Sequence, residues 1–183
     1  MMELTPDTTT ETLRFGYGDT ALGIIVVAES ARGVVALLIG DDRAKLFRDL
    51  KQAFPNAELV LDQAGLEETI ARASALVDTR QRGSDLTHEL TLDLRGSPVE
   101  LAVWKALQAV PLGETRTYGA VAKTLPVAAT AQDVGAACAA NRIAVAVPCH
   151  RVVKADGSIS GYRWGVPRKR WLINMEGLVL RRS

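Results

Sequence analysis

Short apolar runs alternate along the first half of the chain with longer stretches in which apolar residues recur every three or four positions. Residues 13–17, 23–28 and 33–39 are rich in valine, isoleucine and leucine and are divided by turn residues at Gly18-Asp19 and Ala31–Gly33. This is the pattern of successive antiparallel strands. Asp41 or Asp42 can cap a helix to about Phe54, with Leu46, Phe47 and Leu50 at helical spacing and Pro55 as its stop. A second amphipathic stretch over residues 63–78 aligns Leu66, Ile70, Ala73 and Val77 on one face. Strands followed by helices predict a small α+β unit.

The polar stretch 79–90, with Gly83, reads as a linker, although Leu90, Leu92 and Leu94 alternate as in one more strand. The expected division is therefore a flexible end (1–11), a first domain (12–94) and a second (95–183). In the second, Ser97 can cap and Pro98 suits the first helical position. Val99, Val103, Trp104 and Leu107 then form a stripe that ends at Pro111–Gly113. Thr117 caps a predicted helix over 118–125, Pro126-Val127 makes a turn, and an alanine-rich helix covers 130–140. Two short helices about a tight turn have the outline of a helix-turn-helix, and equally of a pair that only packs on itself.

Composition narrows the class. With 183 residues, 48% hydrophobic and 23% charged, the chain can bury one core or two small ones and is not of the disordered type. A net charge of +1 means that an acidic partner must meet a local basic patch. Arg163, Arg168, Lys169 and Arg170 form one candidate, with Arg142, Arg151 and Lys154 upstream; such a run is either a solvated surface or a nucleic-acid contact. No run approaches the ~20 apolar residues of a membrane span, and Met1–Thr10 lacks the segments of a signal peptide. A cytoplasmic location is expected. Cys138 and Cys149, with two histidines, are too few for a disulfide framework or a zinc site, so no metal or other cofactor is expected.

An apolar, strand-like run over 143–147 delivers Pro148, and proline should hold the next residue, Cys149, at a rigid turn. A thiol attacks carbon as the thiolate, so its pKa must be lowered or an adjacent base must take the proton. His150 and one acid downstream could do this. A bare Cys-His pair, however, is more often an inert buried thiol beside a satisfied histidine. Cys138, mid-helix among alanines, reads as core.

The surroundings change that balance. Pro148-Cys149-His150-Arg151-Val152 resembles the active-site signature of the O6-alkylguanine-DNA alkyltransferases. The likeness extends through Arg95-Gly96, Val103-Trp104, Pro111–Thr115 and Tyr118, Ala137–Asn141, and Asp156-Gly157 to Ser160–Gly165. Within the family it is greatest to Ada-type C-terminal domains. The first half agrees more loosely, through Ala28-Glu29-Ser30, Arg32-Gly33 and Gly40-Asp41-Asp42.

The resemblance implies a small N-terminal antiparallel sheet with helices, ribonuclease H-like, followed by a helical domain containing a helix-turn-helix. It implies a monomer that binds double-stranded DNA carrying O6-alkylguanine, flips the base from the minor groove and takes its alkyl group once, irreversibly, onto Cys149; O4-alkylthymine is a second candidate substrate. By the same resemblance His150 takes the thiol proton, through a water, and Glu176 holds the imidazole. Asn141 supports the turn before the active-site run, and Tyr118 donates to the purine N3 and crowds a phosphate. Thr130, Ala131, Gln132, Gly135 and Ala136, with Arg142 and Arg151, would meet DNA. Trp104, Pro148, Val152, Ser160, Tyr162, Arg163 and Trp164 would wall the base pocket, Trp164 making it tighter than in relatives with glycine there.

One position departs from the family pattern. Gln132 stands where the recognition helix usually carries an arginine that fills the gap left by the flipped base, and Asp133 adds an acid beside it. Gln132 can occupy space and hydrogen-bond the orphaned base but brings no charge. Competing classes are a module that recognises alkylated DNA without transfer, which Cys149 argues against, and a methylation-activated regulator, whose four-cysteine zinc domain has no counterpart in this sequence. A thiol hydrolase is a remote alternative.

Overall fold

The computed structural model describes residues 10–78, 86 and 89–181. It is a mixed α+β structure. β1 (Thr12–Thr20), β2 (Gly23–Glu29) and β3 (Val34–Gly40) form the expected antiparallel meander. α1 (Arg43–Ala53) follows, capped by Asp42, whose carboxylate accepts from the amides of Ala44 and Lys45.

The expectation of a purely antiparallel sheet needs correction. β4 (Glu58–Leu61) pairs parallel with β1, giving the order β3-β2-β1-β4. Its four residues are mostly exposed and carry no buried alternation, which is why the sequence pattern misses it. α2 (Glu67–Asp78) starts later than expected because residues 62–66 form a turn closed by Gly65 N donating to Asp62 Oδ1 (2.9 Å).

The two helices cover opposite faces of the sheet. Phe15 meets Phe47 of α1 with ring centroids 5.4 Å apart, and Arg43 lies 5.0 Å from the Tyr17 ring centre. Gly16 and Gly18 point the other way, where a Cβ would come within 2.7 Å of Ile70 Cδ1 and 2.9 Å of Ile70 Cγ2 of α2. Alternation along β1 thus presents bulk to α1 and bare backbone to α2. A sheet covered on both sides explains why β3 is buried from Val34 to Ile39 and reads as a continuous apolar run.

The outer edge of β3 receives the rest of the chain. Val34 N donates to Thr91 O (2.9 Å) and Asp93 N to Val34 O (2.8 Å), so the Leu90–Leu94 alternation yields an isolated bridge and not a strand. Gly33, at φ +151°, permits this approach, because a Cβ there would stand 2.6 Å from Thr91 O. Further along, Leu37 N donates to Arg142 O (2.8 Å) and Ala144 N to Leu37 O (2.9 Å). The segment leading to Cys149 is therefore anchored on the N-terminal sheet, and an aggregation-prone edge is closed.

Residues 1–9 and most of the 79–90 linker lie outside the described residues, but Glu11, placed in the flexible end, accepts from Arg95 Nη1 and Nη2 (2.7 and 2.5 Å). Arg95 also binds Asp93 (2.8 Å), which accepts from Ser30 Oγ (2.7 Å).

In the second half α3 (Pro98–Gln108) begins with a Ser97/Glu100 capping box, α4 (Tyr118–Thr124) with Thr117, and α5 (Ala131–Ala140) with a Thr130/Asp133 box. Val103, Trp104 and Leu107 are buried, and Trp104 Nε1 donates to Ala137 O (2.9 Å), clamping α5 on α3. β5 (Arg116–Thr117) and β6 (Val152–Val153) make a small parallel pair. α6 (Val166–Arg181), which the sequence reading does not include, closes the fold. Arg168 ties it to the first half by donating to Leu22 O and Asp41 Oδ1, both at 2.8 Å. Among the described residues no helix is long and apolar enough to cross a membrane.

Candidate active site

Residues 143–147 are not the strand expected from their apolar run. Ala146 N donates to Ala144 O (2.7 Å) across Val145, whose φ is +68°. This is a tight γ-turn of the rare positive-φ kind, strained for a β-branched residue. Val145 is fully buried, so tertiary packing holds what local preference opposes. Asn141 supplies the frame: its Oδ1 accepts from Ile143 N (2.9 Å), and its Nδ2 lies 3.1 Å from Val147 O and 3.3 Å from both Ile143 O and Cys149 Sγ. Cys149, His150 and Arg151 form the single turn of 3-10 helix that follows Pro148.

Behind Cys149, His150 Nε2 lies 2.6 Å from Glu176 Oε1, and both residues are buried. With Nε2 donating to the carboxylate, Nδ1 is the ring nitrogen able to accept a proton. Arg151 turns inward beside it. Its Nε and Nη2 donate to Glu176 (3.0 and 3.2 Å) and its Nη1 to Val110 O (2.8 Å). At 0% exposure Arg151 cannot meet a phosphate, so its expected DNA-binding role is withdrawn.

In front of Cys149 lies a cleft of about 390 Å3. Tyr118 and Gly135, Cys138 and Ala139 of α5 form one side, and Gly161, Tyr162 and Arg163 the other. Several expected wall residues are displaced from it. Trp104, Pro148 and Val152 are buried beneath the site. Trp164, 7% exposed, stacks edge-on behind Tyr162 with ring centroids 5.3 Å apart, so it braces the wall and does not narrow the cleft. Cys138 is half-buried and lines the cleft, which corrects its reading as core.

Ser160 hydrogen-bonds the Tyr118 hydroxyl. The ammonium of Lys169, 1% exposed, donates to Ser160 Oγ (3.0 Å) and Gly161 O (3.3 Å). Lys169 entered the sequence reading only as part of a surface patch. A helical reading of 166–181 would have found it, since Lys169, Leu172 and Glu176 fall on one face at i, i+3, i+7 and all three are buried.

Electrostatics bear on the thiol. Burial pushes the Cys149 thiol up, contact with Cys138 adds to this, and Asn141 and Lys169 only partly oppose it. Cys149 is thus a thiol at rest that needs a base, and His150 is the base at hand. Cys138 moves down, chiefly because it accepts from Cys149.

The exposed positions of α5 are Ala131, Gln132, Asp133, Ala136 and Ala139. Asp133 and Thr130 are committed to each other in the helix cap, Thr130 N donating to Asp133 Oδ2 (2.7 Å). Arg142 stacks on Phe54, 5.2 Å from its ring centre, and Arg163 donates to Asn141 O (2.7 Å). The expected basic patch is therefore in part structural, with Lys154, Arg163 and Arg170 its exposed members.

Residues 98–178 match the family model described as "6-O-methylguanine DNA methyltransferase, DNA binding domain". A methylated-DNA–protein-cysteine methyltransferase of Candida albicans is 36% identical over 83% of this chain and 85% of its own length. The chain belongs to this methyltransferase family. It is also 42% identical, over 90% of its length, to the bifunctional transcriptional activator/DNA repair enzyme Ada of Escherichia coli, of which it spans 45%. The structure of Mycobacterium tuberculosis OGT in complex with DNA superposes with a TM-score of 0.70 and 29% identity, covering 92% of this chain and 94% of that one.

Proposed function

We propose that this methyltransferase repairs DNA by direct reversal, moving an alkyl group from O6 of guanine to Cys149 Sγ in a single irreversible turnover. One observation carries the reading: Cys149 forms the floor of an open cleft while a buried His150–Glu176 pair stands behind it. As the S–C bond forms, the O6–C bond breaks and its electron pair passes to the purine. The thiol proton goes to His150, directly or through a water, and Tyr118 donates its proton to N3 of the departing guanine. Cys149 keeps the alkyl group, which ends activity.

The base must leave the duplex to reach the cleft. The small side chains exposed on α5 suit close approach to a minor groove, with Gln132 filling the stack and Tyr118 bracing the backbone. We read α4 and α5 as a helix-turn-helix, the β3-β2-β1-β4 sheet with its two helices as ribonuclease H-like, and residues 12–94 and 95–183 as two domains of a cytoplasmic monomer. Incubation with an O6-methylguanine duplex, followed by mass spectrometry, tests the function. The expected result is one added methyl, absent in Cys149→Ser; unmodified protein bound to the DNA would instead favour a recognition module.

A further inference from the structure

Two thiols face one cleft, and alkyl transfer uses only one of them. Cys138 of α5 and Cys149 of the 3-10 turn both line the space of about 390 Å3 in front of the site, and both are free. Asn141 touches each: its backbone N donates to Cys138 O (3.3 Å), and its side chain lies 3.3 Å from Cys149 Sγ. Tyr118 and Lys169 each feel the charge of both sulfurs, so the two thiols share one set of neighbours.

The two are not equivalent. Cys149 is 3% exposed, whereas Cys138 is half-buried at the wall of the cleft. Cys138 is lowered, chiefly by accepting from Cys149, while burial raises Cys149. Oxidation of a cysteine follows its exposure and thiolate character. Cys138 is therefore the thiol that a small oxidant meets first, and Cys149 is the neighbour placed to resolve it.

We propose that Cys138 and Cys149 form a redox pair, which a small hydroperoxide closes into a disulfide that reversibly masks the alkyl acceptor. The Cys138 thiolate attacks a peroxide oxygen; an S–O bond forms as the O–O bond breaks, and the departing oxygen takes up the proton that Cys138 gave up. Cys138 is left as a sulfenic acid. His150 then takes the Cys149 proton, the Cys149 thiolate attacks the Cys138 sulfur, and hydroxide leaves with that proton as water. With hydrogen peroxide the products are one disulfide and two molecules of water. A low-molecular-weight dithiol reopens the pair by exchange, restoring both thiols. Pairing matters because a sulfenic acid without a thiol partner goes on to sulfinic and sulfonic acids, which thiols do not reverse. The half-buried thiol thus takes the first oxidation and holds the acceptor in a recoverable state.

Hydrogen peroxide treatment of the whole chain, followed by tryptic digestion without reductant and mass spectrometry, tests this. Arg142 lies between the cysteines, so trypsin places them on separate peptides, 124–142 and 143–151. The expected product is these two peptides joined with the loss of two hydrogens within one chain, and separated again by dithiothreitol. Methyl uptake should fall in step with the joined fraction and return with reduction. In Cys149→Ser, which lacks the resolving thiol, the Cys138 sulfenic acid should be captured by dimedone. Oxygen added to Cys149 alone, linkage only between two chains, or Cys138 left unreacted in Cys149→Ser would each overturn the pair. The joined peptides form without DNA, so absence of methyl uptake by the untreated protein would refute the alkyl-transfer reading and leave the redox pair standing.

Discussion

Arg151 and Glu176 offer a quantitative test of how the site is held. The guanidinium and the carboxylate are 0% and 3% exposed, with Nε 3.0 Å from Oε2. Removing one member of such a pair leaves the other charge buried without compensation, a loss of about 3–5 kcal/mol. Arg151→Met should therefore destabilise by about 3 kcal/mol or more, lowering Tm by roughly 6–12 °C in a chain of this size. Glu176→Gln should cost a similar amount. The double variant buries neither charge, so its loss should fall short of the sum by about 2 kcal/mol. Urea unfolding of the four proteins, with the slope checked for constancy, supplies the cycle. Additivity to within about 0.5 kcal/mol would refute the buried pair. DNA affinity adds a second reading, because a surface phosphate contact at Arg151 would reduce the salt dependence by about one unit of slope on substitution, and a buried arginine would not.

Other outcomes follow from single contacts. Asn141→Ala removes the side chain that holds Ile143 N and faces Val147 O; a loss of about 2–3 kcal/mol in urea and much slower methyl transfer are expected, and wild-type kinetics would exclude the framing role. Glu11 is lowered mainly by its bond from Arg95, and Asp93 ends lowered because Arg95 and Ser30 outweigh its burial. Lowered carboxylates stabilise above their unfolded values near pH 4 and lose this as pH falls through the folded ones. Arg95→Met should thus cost about 1 kcal/mol at pH 7 and much less at pH 3, and a pH-independent cost in urea titrations would contradict it. Burial and then Cys138 raise Cys149, so Cys138→Ala should move the pH profile of Cys149 alkylation by iodoacetamide downward; an upward shift would reverse the assignment. Gln132→Arg should tighten duplex binding and steepen its salt dependence by about one charge, whereas unchanged binding would take position 132 out of the interface.

What the sequence determined is local. Asp42, Ser97 with Glu100, Thr117, and Thr130 with Asp133 start their helices in the structure as their side chains require, because a cap involves residues only two or three apart. The three meander strands and the Cys149–His150 turn were legible for the same reason. Tertiary structure decided the rest. β4 is a strand only because β1 offers it an edge, and Val145 takes a positive φ only because its surroundings outweigh its own preference. Arg151 is buried because Glu176, 25 residues away, waits inside. Charge along the sequence suggested a basic surface at Arg151 and Lys169, but whether a cation faces water or the interior depends on partners that only the folded chain assembles. The same dependence turned Cys138 from packing into a cleft wall and joined Lys169 to Tyr118 through Ser160.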